Sequence, residues 1–313
     1  MMEQRSEPKA GKRKRSEEGC SQTVLQGKTN CSAKKEPVVV LEKLNTEAPA
    51  KKKRKGAVEQ PMRRTRRQRK ATKPDTFASR YTVAIKFVKK LHDDRYVHSP
   101  DEIKVVPVEV ALLQIMSQPP ICKSIIQLIE WFDEPNRYIL VLEHPDPCKS
   151  LDGFLQACGG YVTEDMAQDL MWQSVMAAFQ CRRQGVLHRD IKPENLLINQ
   201  DTLEVKLIDF GCGDFIKKYG TDEYCPPEFI LEGRYHAGPA TVWSLGVLMF
   251  RMVCGYLPFA NDDDITGGDL HFRDGLSDEC RNLIGWCLQR TPTRRPNLQQ
   301  MQQHKWLQSN VST

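Results

Sequence analysis

The feature that most constrains this chain is a run of ionisable and amide side chains set among apolar ones. His188-Arg189-Asp190-Ile191-Lys192-Pro193-Glu194-Asn195 is followed, 14 residues after Asn195, by Asp209-Phe210-Gly211. Between them Leu196-Leu197-Ile198 and Val205-Lys206-Leu207-Ile208 flank Asn199–Thr202 and predict a small hairpin, with Asp209 at the end of its second strand. Leaving an unpaired charge among such neighbours is costly. Asp190, Asn195 and Asp209 are therefore read as working groups and not as surface decoration. His188 is read as a packed histidine whose place is set by the run around it.

The rest of the chain divides sharply by charge. Residues 1–74 hold 22 Lys+Arg against 8 Asp+Glu, whereas 75–313 hold 24 against 32. The first stretch is polar, with one apolar island at Val38-Val39-Val40-Leu41 and no aromatic residue before Phe77. Such a composition cannot bury enough surface to offset the entropy of ordering, so 1–74 is expected to be a disordered basic arm. Lys12–Arg15, Lys51–Lys55 and Arg63–Lys70 are its three basic clusters. The second resembles a nuclear localisation signal, which implies importin as a partner and a nuclear as well as cytoplasmic location. Without aromatics to stack on bases, nucleic-acid binding would be weak, non-specific and salt-sensitive.

Residues 1–20 lack an apolar core, which predicts no secretory signal. The apolar stretch Val242–Cys254 is interrupted by Ser244, Gly246 and Arg251, so no membrane span is expected. The 11 cysteines show no paired C-x-x-C spacing, which points to reduced thiols and neither a disulfide framework nor a zinc site.

From Phe77 onward the texture is that of a folded body. Tyr81–Val88 is β-branched and aromatic and predicts a strand. Pro107 opens a helix with Val108, Ala111, Leu112 and Ile115 on one face. Ile125–Trp131 and Tyr138–Leu142 read as two strands joined at Asp133–Asn136. Helices dominate thereafter: one begins at an N-cap Thr163 and stops at Gly185, and another, Thr241–Cys254, is apolar nearly all round and so buried. The layout is α+β, a small strand-rich lobe followed by a larger helical one.

Val83-Ala84-Ile85-Lys86, His188–Asn195 and Asp209-Phe210-Gly211 are three protein-kinase signatures in the right order, each on the element it requires. From Tyr81 to the C-terminus the chain resembles eukaryotic serine/threonine protein kinases, and among them the Pim family. Cys225-Pro226-Pro227-Glu228 resembles the end of an activation segment and Arg295 its buried ion-pair partner. Glu143-His144-Pro145-Asp146-Pro147 is similar to the Pim hinge, where proline removes an N–H donor.

The resemblance implies a bilobal kinase fold and a protein kinase that uses ATP and Mg²⁺. Phosphoryl transfer asks an enzyme mainly to position groups and neutralise charge. Asn195 and Asp209 would hold Mg²⁺ with an amide carbonyl and a carboxylate. Asp190 would orient the incoming hydroxyl and take its proton, with Lys192 beside the transferring phosphate. Lys86 would hold the phosphates, braced by Glu109. Ala84 and Leu197 would sandwich adenine, with Leu142 at the gatekeeper position and Glu143 next to it. Glu194 and the Asp262-Asp263-Asp264 cluster would favour basic protein substrates, although Ser150, Gly153 and Tyr256 stand where the family often carries Asp. Thr221 is expected to brace the catalytic loop. A monomer is expected.

The expected domains are the arm, 1–74, and a kinase domain, 75–313, with lobes at 75–143 and 144–313. One motif is missing. No glycine occurs between Gly56 and Gly153, so the G-x-G-x-x-G loop that covers ATP phosphates has no counterpart, and only Phe77–Arg80 reads as a remnant of a preceding strand. The competing expectation is therefore a pseudokinase or scaffold with impaired ATP binding.

Overall fold

The computed structural model describes residues 38–44, 81–99, 104–216, 226–232 and 235–308. Its first strand comes from the basic arm. β1 (Val38–Leu44) pairs antiparallel with β2 (Tyr81–Lys89) along its whole length, Val38 opposite Phe87 and Leu44 opposite Tyr81. The expectation of disorder throughout 1–74 is corrected for this stretch. A β-branched run has strand propensity, and the open edge of β2 offers it unpaired N–H and C=O groups. The three basic clusters and Phe77–Arg80 lie outside the described residues.

β3 (Tyr96–His98) and β4 (Val105–Pro107) form a short antiparallel ribbon that leads into α1 (Val108–Met116). Val110, Ala111, Leu112 and Met116 of α1 have no exposure, so this helix is pinned against the core. β5 (Leu128–Asp133) and β6 (Arg137–Glu143) complete a four-stranded sheet of order β1-β2-β6-β5. β5 starts at Leu128, later than the sequence suggests, because Ile125 is engaged elsewhere. It makes a parallel bridge to Leu207 and stitches the small lobe to the large one.

The helical lobe opens with β7 (Cys148–Ser150) and α2 (Leu151–Ala157), whose N-terminus is capped by the Ser150 hydroxyl accepting from the Gly153 N–H. α3 (Glu164–Arg183) starts at Thr163, which accepts from the Met166 N–H, and ends before Gly185 at φ +73°. After β8 (Val186–Leu187), the hairpin β9 (Leu196–Asn199) and β10 (Val205–Leu207) forms a three-stranded sheet with β7, and β11 (Asp214–Phe215) returns to pair with β8.

α4 (Pro227–Glu232), α5 (Ala237–Cys254), α6 (Asp262–Gly267), α7 (Asp278–Cys287), α8 (Leu298–Gln302) and α9 (Lys305–Gln308) follow. α5 begins four residues before its predicted start. It is long and apolar enough to cross a membrane, yet Leu245, Met249, Phe250, Met252 and Val253 are fully buried, the pattern of a core helix. A Cβ at Gly246 would lie 2.7 Å from Cβ of Cys287, so glycine is what lets α5 and α7 approach this closely. Cys212 is disulfide-bonded, contrary to the expectation of reduced thiols, while the other described cysteines are free.

Candidate active site

The ionic centre of the cleft is Lys86. β2 carries it inward, opposite Leu140 of β6, and its Nζ lies 2.6 Å from Oε1 of Glu109 and 2.8 Å from Oδ1 of Asp209. Glu109 sits in the first turn of α1, where the helix dipole favours a carboxylate. Its second oxygen accepts the Tyr138 hydroxyl at 2.9 Å, so both lone-pair faces are fixed. Burial pulls the Lys86 ammonium down, but the two carboxylates more than offset this and hold its pKa above the ordinary lysine value. Burial opposes ionisation of Asp209 as well, and Lys86 reverses that, keeping Asp209 below the ordinary carboxylate value. Burial and the Glu109 charge together push the Tyr138 phenol up, so it remains a donor.

The second centre is Asp190. Asn195 donates from its amide nitrogen to the Asp190 carbonyl oxygen at 2.8 Å and to Oδ2 at 2.7 Å, while Lys192 Nζ lies 2.9 Å from the same Oδ2. Oδ1 of Asp190 is buried and has no hydrogen-bond partner among the described residues. Such an acceptor is costly to leave unmade, and it suits a group that receives a hydroxyl from outside the chain. Arg189 and Asp209, beside the two centres, hold φ values of +69° and +61°, left-handed conformations that non-glycine residues take up only under local constraint.

Backbone contacts lock the two centres together. The Ile208 N–H donates to the Asn195 carbonyl at 2.9 Å, and His188 places Nε2 2.9 Å from the Ile208 carbonyl. The Asp190 N–H donates to Nδ1 of His188, whose ring meets Phe210 edge-on at 4.7 Å. Burial lowers the pKa of His188, so the neutral imidazole serves as this connector. A Cβ on Gly211 would fall 3.0 Å from Oδ1 of Asp209, the oxygen that also accepts the Gly211 N–H.

Asp214 is a third junction, one that no sequence motif singles out. It receives both terminal nitrogens of Arg95, at 2.7 and 2.8 Å, and one from Arg189 at 2.7 Å. It thereby ties β11 to the loop that carries Asp190. Tyr138 is the other functional neighbour the motifs did not reveal.

The donor set fits a small hard cation. Asn195 commits its amide nitrogen to Asp190, which leaves its carbonyl oxygen as the available group, and the Asp209 side chain is 40% exposed toward solvent. Among the described residues no group of three or more His, Cys, Asp or Glu could hold a metal alone. Two oxygen ligands suit Mg²⁺, which keeps waters and substrate phosphates in its shell.

Ala84 pairs opposite Leu142 across β2 and β6, and Leu197 lies on β9 opposite Ser150; all three expected adenine contacts are half-buried. The Glu143 carboxylate is turned to other work, accepting from Lys206 Nζ at 2.8 Å and from the Gln127 N–H at 2.9 Å. Glu194 is exposed on the loop after Asp190. Thr221 lies outside the described residues.

The family profile described as "Protein kinase domain" matches residues 72–307. The chain is 40% identical over 236 residues to the serine/threonine-protein kinase pim-2 of Danio rerio, covering 72% of this chain and 76% of that protein. It is 35% identical to the serine/threonine-protein kinase prk-2 of Caenorhabditis elegans, covering 73% of this chain and 53% of the other. It is 32% identical to the probable serine/threonine-protein kinase MARK-A of Dictyostelium discoideum, covering 72% of this chain but 22% of that longer protein.

Proposed function

This chain belongs to the protein kinase domain family, and from that premise we propose that it transfers the γ-phosphate of ATP to serine and threonine hydroxyls of protein substrates. The observation that carries the reading is Lys86, a buried ammonium held between Glu109 and Asp209. In such a position it neutralises phosphate charge without having to reorganise, which is the main form of help this reaction accepts. Asp190 orients the substrate hydroxyl and accepts its proton at the unpartnered Oδ1. Lys192, already on Oδ2, stays beside the phosphoryl group in flight. Asn195 and Asp209 would hold Mg²⁺, which neutralises phosphate charge when bound.

Glu194 is an exposed carboxylate next to this loop and supports a preference for a basic residue in the substrate. The Lys51–Lys55 run supports nuclear import, and alanine replacement of all five with imaging of the tagged protein tests it; an unchanged distribution would rule that cluster out.

Labelled phosphate transfer to an Arg-containing serine peptide is the primary test. Lys86→Met should lower it by about 10²–10³-fold, the loss typical of removing one preorganised charge-stabilising donor. Labelling that survives both this change and Asp190→Asn would sink the reading. A scaffold that no longer turns over is the second reading, and it rests on the absence of glycine between Gly56 and Gly153. Mg-ATP should raise the melting temperature of the full chain if the enzyme reading holds, and no shift would favour the scaffold.

A further inference from the structure

Immediately beyond Asp190 the catalytic loop forms one wall of an open hollow of about 400 Å³, bounded elsewhere by α2, α5, the segment running into α6 and α6 itself. Much of its lining is apolar, including Ile191, Pro193, Val247, Leu257, Phe259 and Ile265. Phe259 stacks on Trp243 with centroids 5.5 Å apart and planes 8° from parallel, and the Arg295 guanidinium lies 4.8 Å from the Trp243 ring. The floor is thus fixed from beneath. At the rim Leu257 is 62% exposed, unusual for a leucine beside an apolar hollow.

Four charged side chains line the cavity, Asp152, Lys192, Glu194 and Arg251, and their formal charges cancel. Two are already spent. Lys192 is paired with Asp190, and Arg251 donates to the Gly160 carbonyl at 2.7 Å with its other terminal nitrogen 3.8 Å from the Asp152 carboxylate. Asp152, a carboxylate that lines the groove, is itself already engaged, by the Arg251 guanidinium at 3.8 Å and by the Gln156 amide nitrogen, which donates to it at 2.7 Å. A second cation entering there would meet Arg251.

We infer that this groove is a substrate subsite for an apolar side chain of the leucine, methionine or phenylalanine class, and that Arg251 determines this specificity by excluding arginine. Continuity with the catalytic loop names the occupant. A polypeptide whose hydroxyl reaches Asp190 must carry its neighbouring residues past Ile191–Glu194, which line the cavity. The basic residue that Glu194 favours and the apolar residue seated here are then separate positions of one substrate. The inference rests on the proposed transferase activity.

Fluorescent peptides with one serine and one fixed arginine, scanned with leucine or arginine at each remaining position, test it on the full chain. Both binding, by anisotropy, and kcat/KM are read. One position should favour leucine over arginine at least tenfold, chiefly through KM. Arg251→Asp should erase or reverse that preference at the same position only, and Arg251→Met, which keeps the stem but not the charge, should weaken it. Melting temperatures of both variants show whether they fold. Leu257→Ser should weaken binding of the leucine peptide and leave the arginine peptide unchanged. Equal binding of the two peptides, or a preference unchanged in folded Arg251→Asp, overturns the subsite. Leucine-selective binding with no phosphate transfer keeps the subsite and instead overturns the transferase reading.

Discussion

Arg295 and Glu228 meet in the helical lobe at 2.8 and 2.6 Å, much as Lys86 and Glu109 meet at 2.6 Å beneath the sheet, but the two pairs are completed differently. Arg295 spends its donors entirely within the protein: on both Glu228 oxygens, on the carbonyls of Gln289, Pro239 and Arg290, and, through its face, on Trp243. Lys86 gives two of its three protons to carboxylates, one of them an Asp209 that stays 40% exposed. Asp190, in the same cleft, keeps an oxygen unmatched. A buried charge whose bonding capacity is exhausted holds structure. One left with spare capacity is prepared for something that arrives.

The contrast is broken most severely at Asp190. Asp190→Asn should lower phosphate transfer by about 10²–10⁴-fold, the usual contribution of a positioned general base, while the melting temperature stays close to that of the parent. A large fall in melting temperature would mean that Asp190 belongs with Arg295 as a structural charge. The mirror experiment is Arg295→Met, which strands Glu228 in the interior. Losing one partner of a buried pair costs about 3–5 kcal/mol, so chemical denaturation should show that loss and activity should fall with the folded fraction. A folded, inactive Arg295→Met would overturn the division between the pairs.

Tyr138→Phe probes the boundary between the two classes. The hydroxyl supports Glu109 from behind and touches no reacting group. Removing a hydrogen bond to a buried charged partner costs roughly 1.5–3 kcal/mol. We expect a stability loss in that range together with a higher KM for ATP, since Glu109 becomes free to drift from Lys86. Unchanged KM would make Tyr138 purely structural.

How much of this was legible in the sequence follows from distance along the chain. Asp190, Lys192 and Asn195 are close neighbours whose spacing alone fixes their geometry, and the hairpin from Leu196 to Leu207 delivers Asp209. Lys86 and Glu109 were readable because a strand and the following helix bring them together. Tyr138 and Asp214 meet their partners across 29 and 119 residues and neither belongs to a motif, so only the folded chain reveals them. β1 escaped for another reason. A short apolar island in a strongly basic stretch looks unfoldable by composition, and it becomes a strand only because β2 offers an edge to pair with. The Arg251–Asp152 contact lay hidden likewise, since a charge count sees an arginine and an aspartate but not that each answers the other.

The smallest expected effect concerns His188, which joins the Lys86 and Asp190 centres and belongs to neither class of charge, because burial keeps it uncharged. Its folded-state pKa lies below the ordinary 6.5. As the pH falls through 6.5, unfolded chains bind a proton there that folded chains refuse until the lower folded value is reached. Stability is therefore full above 6.5 and declines below it, by at most about 1.4 kcal/mol per pH unit. Urea titrations between pH 7 and 5 should show this slope, and His188→Gln should remove part of it, His304 retaining a shift in the same direction. An imidazole resonance assigned to His188 that titrates near 6.5 would show that the ring reaches solvent. The Ile208 and Asp190 contacts would then be too weak to couple the centres, and the cleft would depend on Lys86 and Asp209 alone for its shape.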